Sequence, residues 1–420
     1  MIRTAGFGGQ SVKQKQQGKI SPPQKGLYRI GLGAIRPVMR FWFGLHIKNR
    51  ATETLEGPAV IVAGHEGLLD FMITALAFPR RRINFVGAEM FFRKPWLGRL
   101  LNQLGVIAKI QFYPDVNAVM NMMRVTKSGG TIAIFPAGQT SLCGLPANID
   151  PGIVKLVKKM GVQVFAARIH GSFFTLSRYA DGKWCRGGCE VETARVFTAE
   201  QLKQASEEEI YEAICRSIDY DEYAWQADRR VKFHGRHRAQ GYENAIVFCP
   251  KCGGELCYRG EGNRIVCEAC GNAATIDAYM TLHPQGSQSK CFPTLKEWFG
   301  WQMQKLQAQF AREDFQMQTP IRVELLNEKG ELYPAGSGVM KLDRQSLSYE
   351  GTLEQQREFR YEVKNAAQAG LMAETGHYFE LYHPDFGSMR FYPDDGRKVV
   401  KWKLAQEYFY QQNTKNNNKA

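Results

Sequence analysis

Short apolar runs alternate with segments of helical spacing in the first half of the chain. Runs such as Ala59-Val-Ile-Val-Ala and Thr131-Ile-Ala-Ile-Phe have the length and the β-branched content of buried strands. Segments 68–78 and 116–127 instead place apolar residues at helical spacing. Because strands that alternate with helices form parallel sheets, the pattern predicts a mixed, largely parallel α/β domain at residues 27–232.

The N-terminal region has a different composition. Residues 1–26 are polar and basic, which predicts a disordered tail. Residues 27–47 combine apolar and aromatic side chains with arginines at helical spacing, Arg29, Arg36 and Arg40. We expect a pair of interfacial helices broken at Pro37 and lying on a membrane surface. The alternative is a helix that packs on its own domain with its arginines facing outward.

Three further units follow the α/β domain. Residues 245–280 are organised around cysteine pairs, and residues 293–316 have the amphipathic spacing of a connecting helix. Residues 319–412 alternate as five strands and end in a helix, so we expect a β-rich domain, a small barrel or sandwich capped by that helix. Its element order resembles that of pleckstrin-homology (PH) or GRAM-like modules. Residues 413–420 are predicted to be disordered.

The charge of the chain is unevenly distributed. The formal net charge is +14, and residues 1–50 supply ten basic residues and no acidic ones. Such a balance favours an anionic partner: nucleic acid, an anionic membrane or a phosphorylated ligand. No apolar run reaches about 18 residues, and no secretory h-region precedes the first domain. We therefore expect a cytoplasmic protein attached peripherally to the inner face of the membrane.

Four cysteines form two Cys-x2-Cys pairs, Cys249 with Cys252 and Cys267 with Cys270. This spacing predicts a zinc ribbon with a structural zinc ion (Zn2+), since four thiolates leave no open coordination position. Residues 249–272 contain three basic and three acidic residues, so the ribbon offers little to a phosphate backbone and no nucleic-acid partner is expected. Cys185 and Cys189 lack two further ligands nearby and are interpreted as structural.

The candidate catalytic pair is His65 and Asp70. An apolar strand ends just before His65, at the edge where α/β sheets place their sites, and Asp70 falls in the following helical turn. Asp70 can accept a hydrogen bond from the imidazole and so fix its tautomer while His65 acts as a base. The alternative is a structural histidine beside a helix-capping aspartate.

Three later segments favour the catalytic interpretation of His65 and Asp70 over the structural one. They are Glu89-Met-Phe-Phe-Arg-Lys-Pro-Trp-Leu-Gly, Ile134-Phe-Pro-Ala-Gly-Gln-Thr-Ser and Val162-Gln-Val-Phe-Ala-Ala-Arg. Together with Gly64-His-Glu-Gly-Leu-Leu-Asp, their order and spacing resemble the glycerolipid acyltransferase superfamily, which includes bacterial lysophosphatidate acyltransferases. The resemblance covers roughly residues 27–200.

The resemblance implies specific roles. His65 would be the base on an acceptor hydroxyl, which attacks an acyl thioester carried by coenzyme A or acyl carrier protein (acyl-CoA or acyl-ACP), and Asp70 would orient His65. Backbone amides at Gly138 and Gln139 would face the oxyanion or the acceptor. The substrate-binding residues implied in this way are Arg93, Lys109, Phe135, Pro136, Gly138, Gln139 and Thr140.

The chain departs from the family pattern where the acceptor is held. Gly64 and Gly67 replace the usual Asn and Ser of the first block, and Ala137 replaces the usual Glu of the third. A second-block stretch that commonly ends in an Ile-Asp-Arg-like triplet reads Ala-Lys-Ile-Gln, ending at Gln111. Since polar contacts carry acceptor specificity, the reaction type is the firmer expectation and the lysophosphatidate acceptor the weaker one.

The sequence therefore predicts an O-acyltransferase that moves a fatty acyl group to a hydroxyl of a lysophospholipid or related lipid at the membrane surface. Its expected partners are lipids of an anionic leaflet and the acyl-CoA or acyl-ACP donor. One alternative is a catalytically degenerate, membrane-associated lipid-binding or scaffold protein. A second is a nucleic-acid-associated zinc-ribbon protein.

Overall fold

A computed structural model describes residues 17–48, 55–180, 182–327, 330–354 and 356–417, without the side chains of residues 356, 357 and 415–417. The first part of the chain contains, in order, α1 (Lys25–Pro37), β1 (His46–Lys48), β2 (Ala59–Ala63), α2 (Asp70–Ala77), β3 (Ile83–Ala88), α3 (Pro95–Gln103), β4 (Ile107–Lys109), α4 (Val116–Lys127), β5 (Thr131–Ile134), α5 (Gly152–Met160), β6 (Gln163–His170), α6 (Ser172–Thr175), β7 (Glu190–Phe197), α7 (Ala199–Gln204), α8 (Glu207–Ile218) and α9 (Glu222–Arg229).

A seven-stranded sheet in the order β1-β7-β6-β2-β5-β3-β4 forms the centre of this part. The strands from β6 to β4 are parallel to their neighbours, and β7 is antiparallel to β6. Successive side chains of β2 point to opposite faces, so Ile61 packs with α2 while Val60 and Val62 pack with α4, α5 and α8. The predicted mixed, largely parallel α/β fold is confirmed.

Residues 17–24 correct the predicted disordered tail. The side-chain amide of Gln17 donates to the Val106 carbonyl oxygen at 2.8 Å and accepts from the Ala108 amide at 2.8 Å. Asn84 donates to the Ser21 carbonyl oxygen at 3.0 Å. The polar segment is fixed because it satisfies backbone groups at β4, the edge strand of the sheet, which would otherwise lack partners. Residues 1–16 of the predicted tail lie outside the described residues.

In place of the predicted pair of helices, the structure has one continuous helix whose last turn is π-helical. α1 ends at Pro37 and continues directly into a π-helical turn, Val38–Trp42. Proline lacks the N–H that the regular helical bond requires, so a change of helical geometry at this point is expected. The side chains of Ile30 and Phe41 are 72% and 80% exposed. Within the described ranges, no helix combines the length and the apolarity that crossing a membrane requires.

The cysteine-rich unit is a small antiparallel sheet in the order β11-β10-β9-β8. Its strands are β8 (Tyr258–Glu261), β9 (Arg264–Cys267), β10 (Ala273–Ile276) and β11 (Leu282–Pro284). Its apolar side chains share one core with Phe173, Tyr179 and Phe233 of the preceding part. The ribbon is therefore packed against the α/β part rather than suspended on a linker.

The last part of the chain is an antiparallel sheet in the order β15-β14-β13-β12-β18-β17-β16, followed by α11. We call residues 316–417 the β module. Its elements are β12 (Gln316–Leu326), β13 (Leu332–Asp343), β14 (Ser346–Leu353), β15 (Gln356–Lys364), β16 (Met372–Glu374), β17 (Tyr378–His383), β18 (Gly387–Pro393) and α11 (Lys398–Asn417). The antiparallel sheet with a terminal helix agrees with the sequence pattern, but β14 and β16 are additional, and α11 extends through residues predicted to be disordered.

A helix between the ribbon and the β module, α10 (Leu295–Phe310), joins their cores. Trp298 is fully buried on the ribbon side, where its indole N–H donates to the Phe248 carbonyl oxygen at 3.1 Å. Leu306 and Phe310 are fully buried in the core of the β module. The predicted connecting helix is therefore a shared structural element of both units.

Replacing Trp298 with alanine tests this bridging role. We expect Trp298→Ala to lower the free energy of unfolding by about 3–5 kcal/mol, because it removes a fully buried aromatic side chain and leaves a cavity. Urea unfolding followed by circular dichroism measures the change. Trp96→Ala is the matched control, since Trp96 is 65% exposed. An equal loss in the two variants would contradict the bridging role of α10.

Candidate active site

The loop between β2 and α2 brings His65 and Asp70 together. His65 Nδ1 lies 2.9 Å from Asp70 Oδ2. The same carboxylate oxygen accepts the backbone amides of Glu66 and Gly67, at 2.6 and 3.0 Å. Asp70 is fully buried, whereas the His65 side chain is 23% exposed. With Nδ1 held by the carboxylate, the other ring nitrogen, Nε2, is the one available to a substrate.

A glycine permits the close approach behind this loop. A Cβ atom at Gly67 would lie 2.4 Å from the Ser172 carbonyl oxygen and 2.6 Å from the Ser172 hydroxyl oxygen. The backbone at the start of α6 therefore occupies the space that a side chain at position 67 would need. The substitution of Gly for the usual Ser in this block thus has a steric reason.

The loop after β5 forms the second wall of the site. The ring of Phe135 lies 4.5 Å from the His65 ring, centroid to centroid. Gly138 adopts a left-handed φ of 69°, its amide donates to the Phe135 carbonyl oxygen at 3.0 Å, and its carbonyl accepts from Gln111 at 2.6 Å. The Gly138 amide, expected to face the oxyanion or the acceptor, is engaged in this turn. The Ser141 amide donates to the His65 carbonyl oxygen at 3.0 Å, which ties the two loops together.

A cluster of buried acids lies behind the pair. Glu66 and Glu222 are both fully buried, and Glu222 accepts from His170 Nδ1 at 3.1 Å and from the Gly171 amide. Burial raises the pKa of Glu66 well above its usual range, and the carboxylates of Glu222 and Asp70 raise it further. The Glu66 carboxyl is therefore protonated over a wider pH range than an exposed glutamate.

Two of the predicted acceptor-binding residues, Arg93 and Gln139, lie against the β module. Arg93, which follows the short 3-10 helix Glu89–Phe92, forms two hydrogen bonds to Glu380, at 2.8 and 3.0 Å. The side chain of Gln139 is buried and donates to the Leu371 carbonyl oxygen at 3.0 Å. These two predicted substrate contacts are thus occupied by residues of the β module.

The other predicted residues have different surroundings. Thr140 is buried, whereas Pro136 is partly exposed beside Phe135. Lys109 is partly buried and donates to its neighbouring Ile110 carbonyl oxygen at 3.1 Å, and burial lowers its pKa. Lys109 and Arg93 line one small cavity with Glu380, so the structure brings these two basic residues together.

Sequence reasoning missed several residues of this region. Arg178 donates to Gln139 Oε1 at 2.7 Å and also to the Ala373 carbonyl oxygen. Glu380 contacts Arg93 across 287 positions of sequence. No short-range pattern marks such pairs; only an unexplained acid in an otherwise apolar strand, Tyr378-Phe-Glu-Leu-Tyr, could have drawn attention to Glu380.

The four predicted metal ligands converge. The sulfur atoms of Cys249, Cys252, Cys267 and Cys270 all lie within 4.8 Å of one another. The distances Cys249–Cys270 and Cys252–Cys267 are both 3.8 Å, and Cys267–Cys270 is 3.5 Å. Tetrahedral zinc with bonds of about 2.3 Å separates its sulfur ligands by about 3.8 Å, so the donor set fits that ion.

The buried acids predict a pH-dependent stability. Because the folded protein holds the Glu66 proton more tightly than the unfolded chain, the free energy of unfolding falls as the pH rises above the unfolded pKa, about 4.3. Glu66→Gln removes this titration, so its stability relative to the wild type should rise as the pH is raised from about 5 to about 8. Urea unfolding at both pH values measures it.

The exposed Glu212 supplies the matched control. It lies on α8 and pairs with Arg216 at 2.9 Å at the surface. Glu212→Gln should follow the pH profile of the wild type. Parallel profiles for Glu66→Gln and the wild type would show that Glu66 titrates alike in the folded and unfolded chains.

Comparison with known proteins identifies one part of the chain. The Acyltransferase family model matches residues 45–170. The chloroplastic 1-acyl-sn-glycerol-3-phosphate acyltransferase LPAT1 of Arabidopsis thaliana is 25% identical over 136 residues, which are 32% of this chain and 38% of that protein. The match thus spans well under half of that relative. The crystal structure of the 1-acyl-sn-glycerophosphate (LPA) acyltransferase PlsC from Thermotoga maritima aligns with a TM-score of 0.39 and 18% identity, over 46% of this chain and 76% of that chain.

The matched range has a clear place in the fold. It begins just before β1 and ends with the last residue of β6, so it contains the parallel strands and both loops that meet at His65. It also contains all four sequence blocks on which the resemblance rests. Residues 45–170 therefore match the Acyltransferase family over the part of the chain that holds the His65–Asp70 pair, and we call this range the acyltransferase domain.

Proposed function

We propose that the protein is an O-acyltransferase that moves a fatty acyl group from acyl-CoA or acyl-ACP to a hydroxyl of a lysophospholipid or related lipid acceptor. The observation that carries the proposal is the His65–Asp70 pair, with a buried carboxylate, a partly exposed imidazole and a bond of 2.9 Å. Its position at the carboxyl end of a central parallel strand is the usual place for a site in an α/β sheet.

The chemistry follows from the direction of this hydrogen bond. The Nδ1–H of His65 donates to Asp70, and Nε2 removes the proton from the acceptor hydroxyl. The hydroxyl oxygen attacks the thioester carbonyl carbon, so a C–O bond forms and the C–S bond breaks. The proton on His65 passes to the departing sulfur, which leaves as a free thiol. Asp70 stabilises the imidazolium between these two transfers.

We further propose that the protein works on an anionic membrane surface, attached to the inner face. The support is the exposed apolar surface of α1 and its π-helical turn, where Phe41 projects and Trp42 packs on Trp184 at 5.5 Å. The guanidinium of Arg186 lies 5.9 Å from the Trp42 ring centroid. Aromatic side chains beside basic groups suit the boundary between headgroups and acyl chains.

The ribbon and the β module are proposed as accessory parts. Seven antiparallel strands followed by one helix is the element order of PH or GRAM-like modules, which supports that identity for the β module. For the ribbon we propose a structural zinc ion held by Cys249, Cys252, Cys267 and Cys270. Four thiolates would fix the two knuckles and leave no position for a substrate.

Replacing His65 tests the proposed reaction. We expect His65→Ala to lower the rate of acyl transfer by about 100- to 10,000-fold, since a general base contributes on that scale. The assay follows thiol release from acyl-CoA and acyl-ACP with a panel of lysolipids. His283→Ala is the matched control, because His283 forms a comparable 2.9 Å pair with Asp277 at the surface.

The outcomes separate the candidate functions. Unchanged transfer in a folded His65→Ala protein would remove His65 from the chemistry. No transfer by the wild type from either donor would favour the non-catalytic lipid-binding alternative instead.

Metal removal tests the ribbon. We expect one zinc per chain by elemental analysis, and we expect Cys267→Ser or a strong chelator to lower the free energy of unfolding by about 5 kcal/mol or more, because structural zinc contributes directly to folding. Cys215→Ser, on α8 and outside the cluster, makes the same atom exchange and should keep both the zinc and the stability. A metal-free protein that is equally stable would refute the assignment.

A further inference from the structure

The β module covers the acceptor side of the acyltransferase domain. β17 supplies Glu380 to Arg93, and the segment entering β16 supplies the Leu371 and Ala373 carbonyl oxygens to Gln139 and Arg178. The Arg93 and Gln139 contacts involve the loops after β3 and β5 at the candidate active site, and Arg178 follows α6. The module is therefore part of the wall of that site.

The Arg93–Glu380 salt bridge is buried and bidentate. The side chains are 8% and 7% exposed, and both terminal nitrogens of Arg93 reach separate oxygens of Glu380. Arg390 also binds Glu380, at 2.6 Å, and Glu89 binds Arg93 at 2.9 Å. A guanidinium presents the same fork of donors to a phosphate as to a carboxylate. Glu380 thus occupies the position on Arg93 that a phosphate would take.

The order of the strands relates this contact to His65. Along the sheet, β2, β5, β3 and β4 are neighbours, and all four run in parallel. Their carboxyl ends carry His65, Phe135, the Arg93 loop and Lys109 in turn. Neighbouring strands lie about 4.8 Å apart, so the ends of β2 and β3 are about 10 Å apart. An acceptor with its hydroxyl at His65 can extend its headgroup along these strand ends.

The cavity beside Arg93 is lined by charges of both signs. The cavity between the strand ends and the β module has a volume of about 20 Å³, space for one water molecule. Its charged lining consists of Arg93, Lys109, Glu89 and Glu380, two cations and two anions. A phosphate monoester carries a charge of about −1.5 to −2 at neutral pH and would meet the carboxylates of Glu89 and Glu380 in this lining.

We propose, resting on the acyltransferase function above, that Glu380 is a specificity-determining residue. Its carboxylate fills the phosphate position on Arg93, so the enzyme selects lipid acceptors without a terminal phosphate monoester. Lysolipids whose phosphate is a diester, or uncharged monoacylglycerols, are the favoured class. This role belongs to the β module, because Glu380 lies outside the acyltransferase domain.

Binding of glycerol 3-phosphate tests the proposal without any need for catalysis. We expect isothermal titration calorimetry to show at least about ten-fold tighter binding to Glu380→Gln than to the wild type, since the substitution removes the anion that competes for Arg93. Equal binding to the two proteins, or tighter binding to the wild type, overturns the proposal.

Two further variants control this measurement. Glu380→Gln leaves Arg93 and Arg390 without their shared carboxylate and could therefore fail to fold. In that case the double variant Glu380→Gln/Arg390→Gln, which restores the local net charge, is used for the binding measurement. Glu350→Gln removes an exposed carboxylate that binds Lys341 at 2.6 Å elsewhere on the module. We expect it to bind glycerol 3-phosphate as the wild type does; equal gains in Glu350→Gln and Glu380→Gln would show a general charge effect and overturn the proposal.

Acyl transfer gives the second test. With acceptors that carry the same acyl chain, we expect the wild type to have at least a ten-fold higher kcat/KM for lysophosphatidylglycerol or monoacylglycerol than for lysophosphatidate. We expect Glu380→Gln to reduce this difference in kcat/KM. His65-dependent transfer that favours lysophosphatidate would overturn the specificity and leave the acyltransferase function standing. No transfer to any acceptor would contradict the function, while the glycerol 3-phosphate measurement would still decide whether Glu380 blocks the phosphate position.

Discussion

The candidate site depends on one buried carboxylate. Asp70 is fully buried, and a single oxygen receives the His65 imidazole and two backbone amides. A charge in the interior is tolerated only where hydrogen bonds replace its water, so the loop must hold its amides toward Asp70. That requirement fixes the path of residues 65–70, and the missing side chain of Gly67 lets α6 close over it. The orientation of His65 is thus a consequence of how the loop solvates Asp70.

The same requirement explains the surroundings of the loop. Glu66 and Glu222 join Asp70 in one interior, where His170 pairs with Glu222 and His65 pairs with Asp70. Burial and the neighbouring carboxylates raise the pKa of Glu66 well above its usual range, and burial also raises the pKa of Glu222. The buried acids that affect stability therefore also set the electrostatic environment of the His65–Asp70 pair.

The sequence predicted the local part of this arrangement and missed the long-range part. His65 and Asp70 lie five positions apart between a strand and a helix, and β-branched runs mark the parallel strands, so periodicity suffices for them. β16 is only three residues long, and hydrogen bonds of side-chain amides help to hold the segment at 17–24; neither feature leaves a periodic signal. The Arg93–Glu380 pair joins a loop after β3 to a strand of the β module, and no spacing rule reaches that far.

Long-range contacts also connect the ribbon to the candidate site through the β module. The ribbon binds the start of α11 through Glu268 to Arg397, at 3.1 Å, and through Glu255 to Lys401, at 2.6 Å. α10 packs into both cores, so the ribbon and the β module are fixed to each other at two places. The module in turn carries Glu380 into the site. A metal that stabilises the ribbon would therefore also hold Glu380 against Arg93, although the four cysteines contact neither His65 nor Asp70.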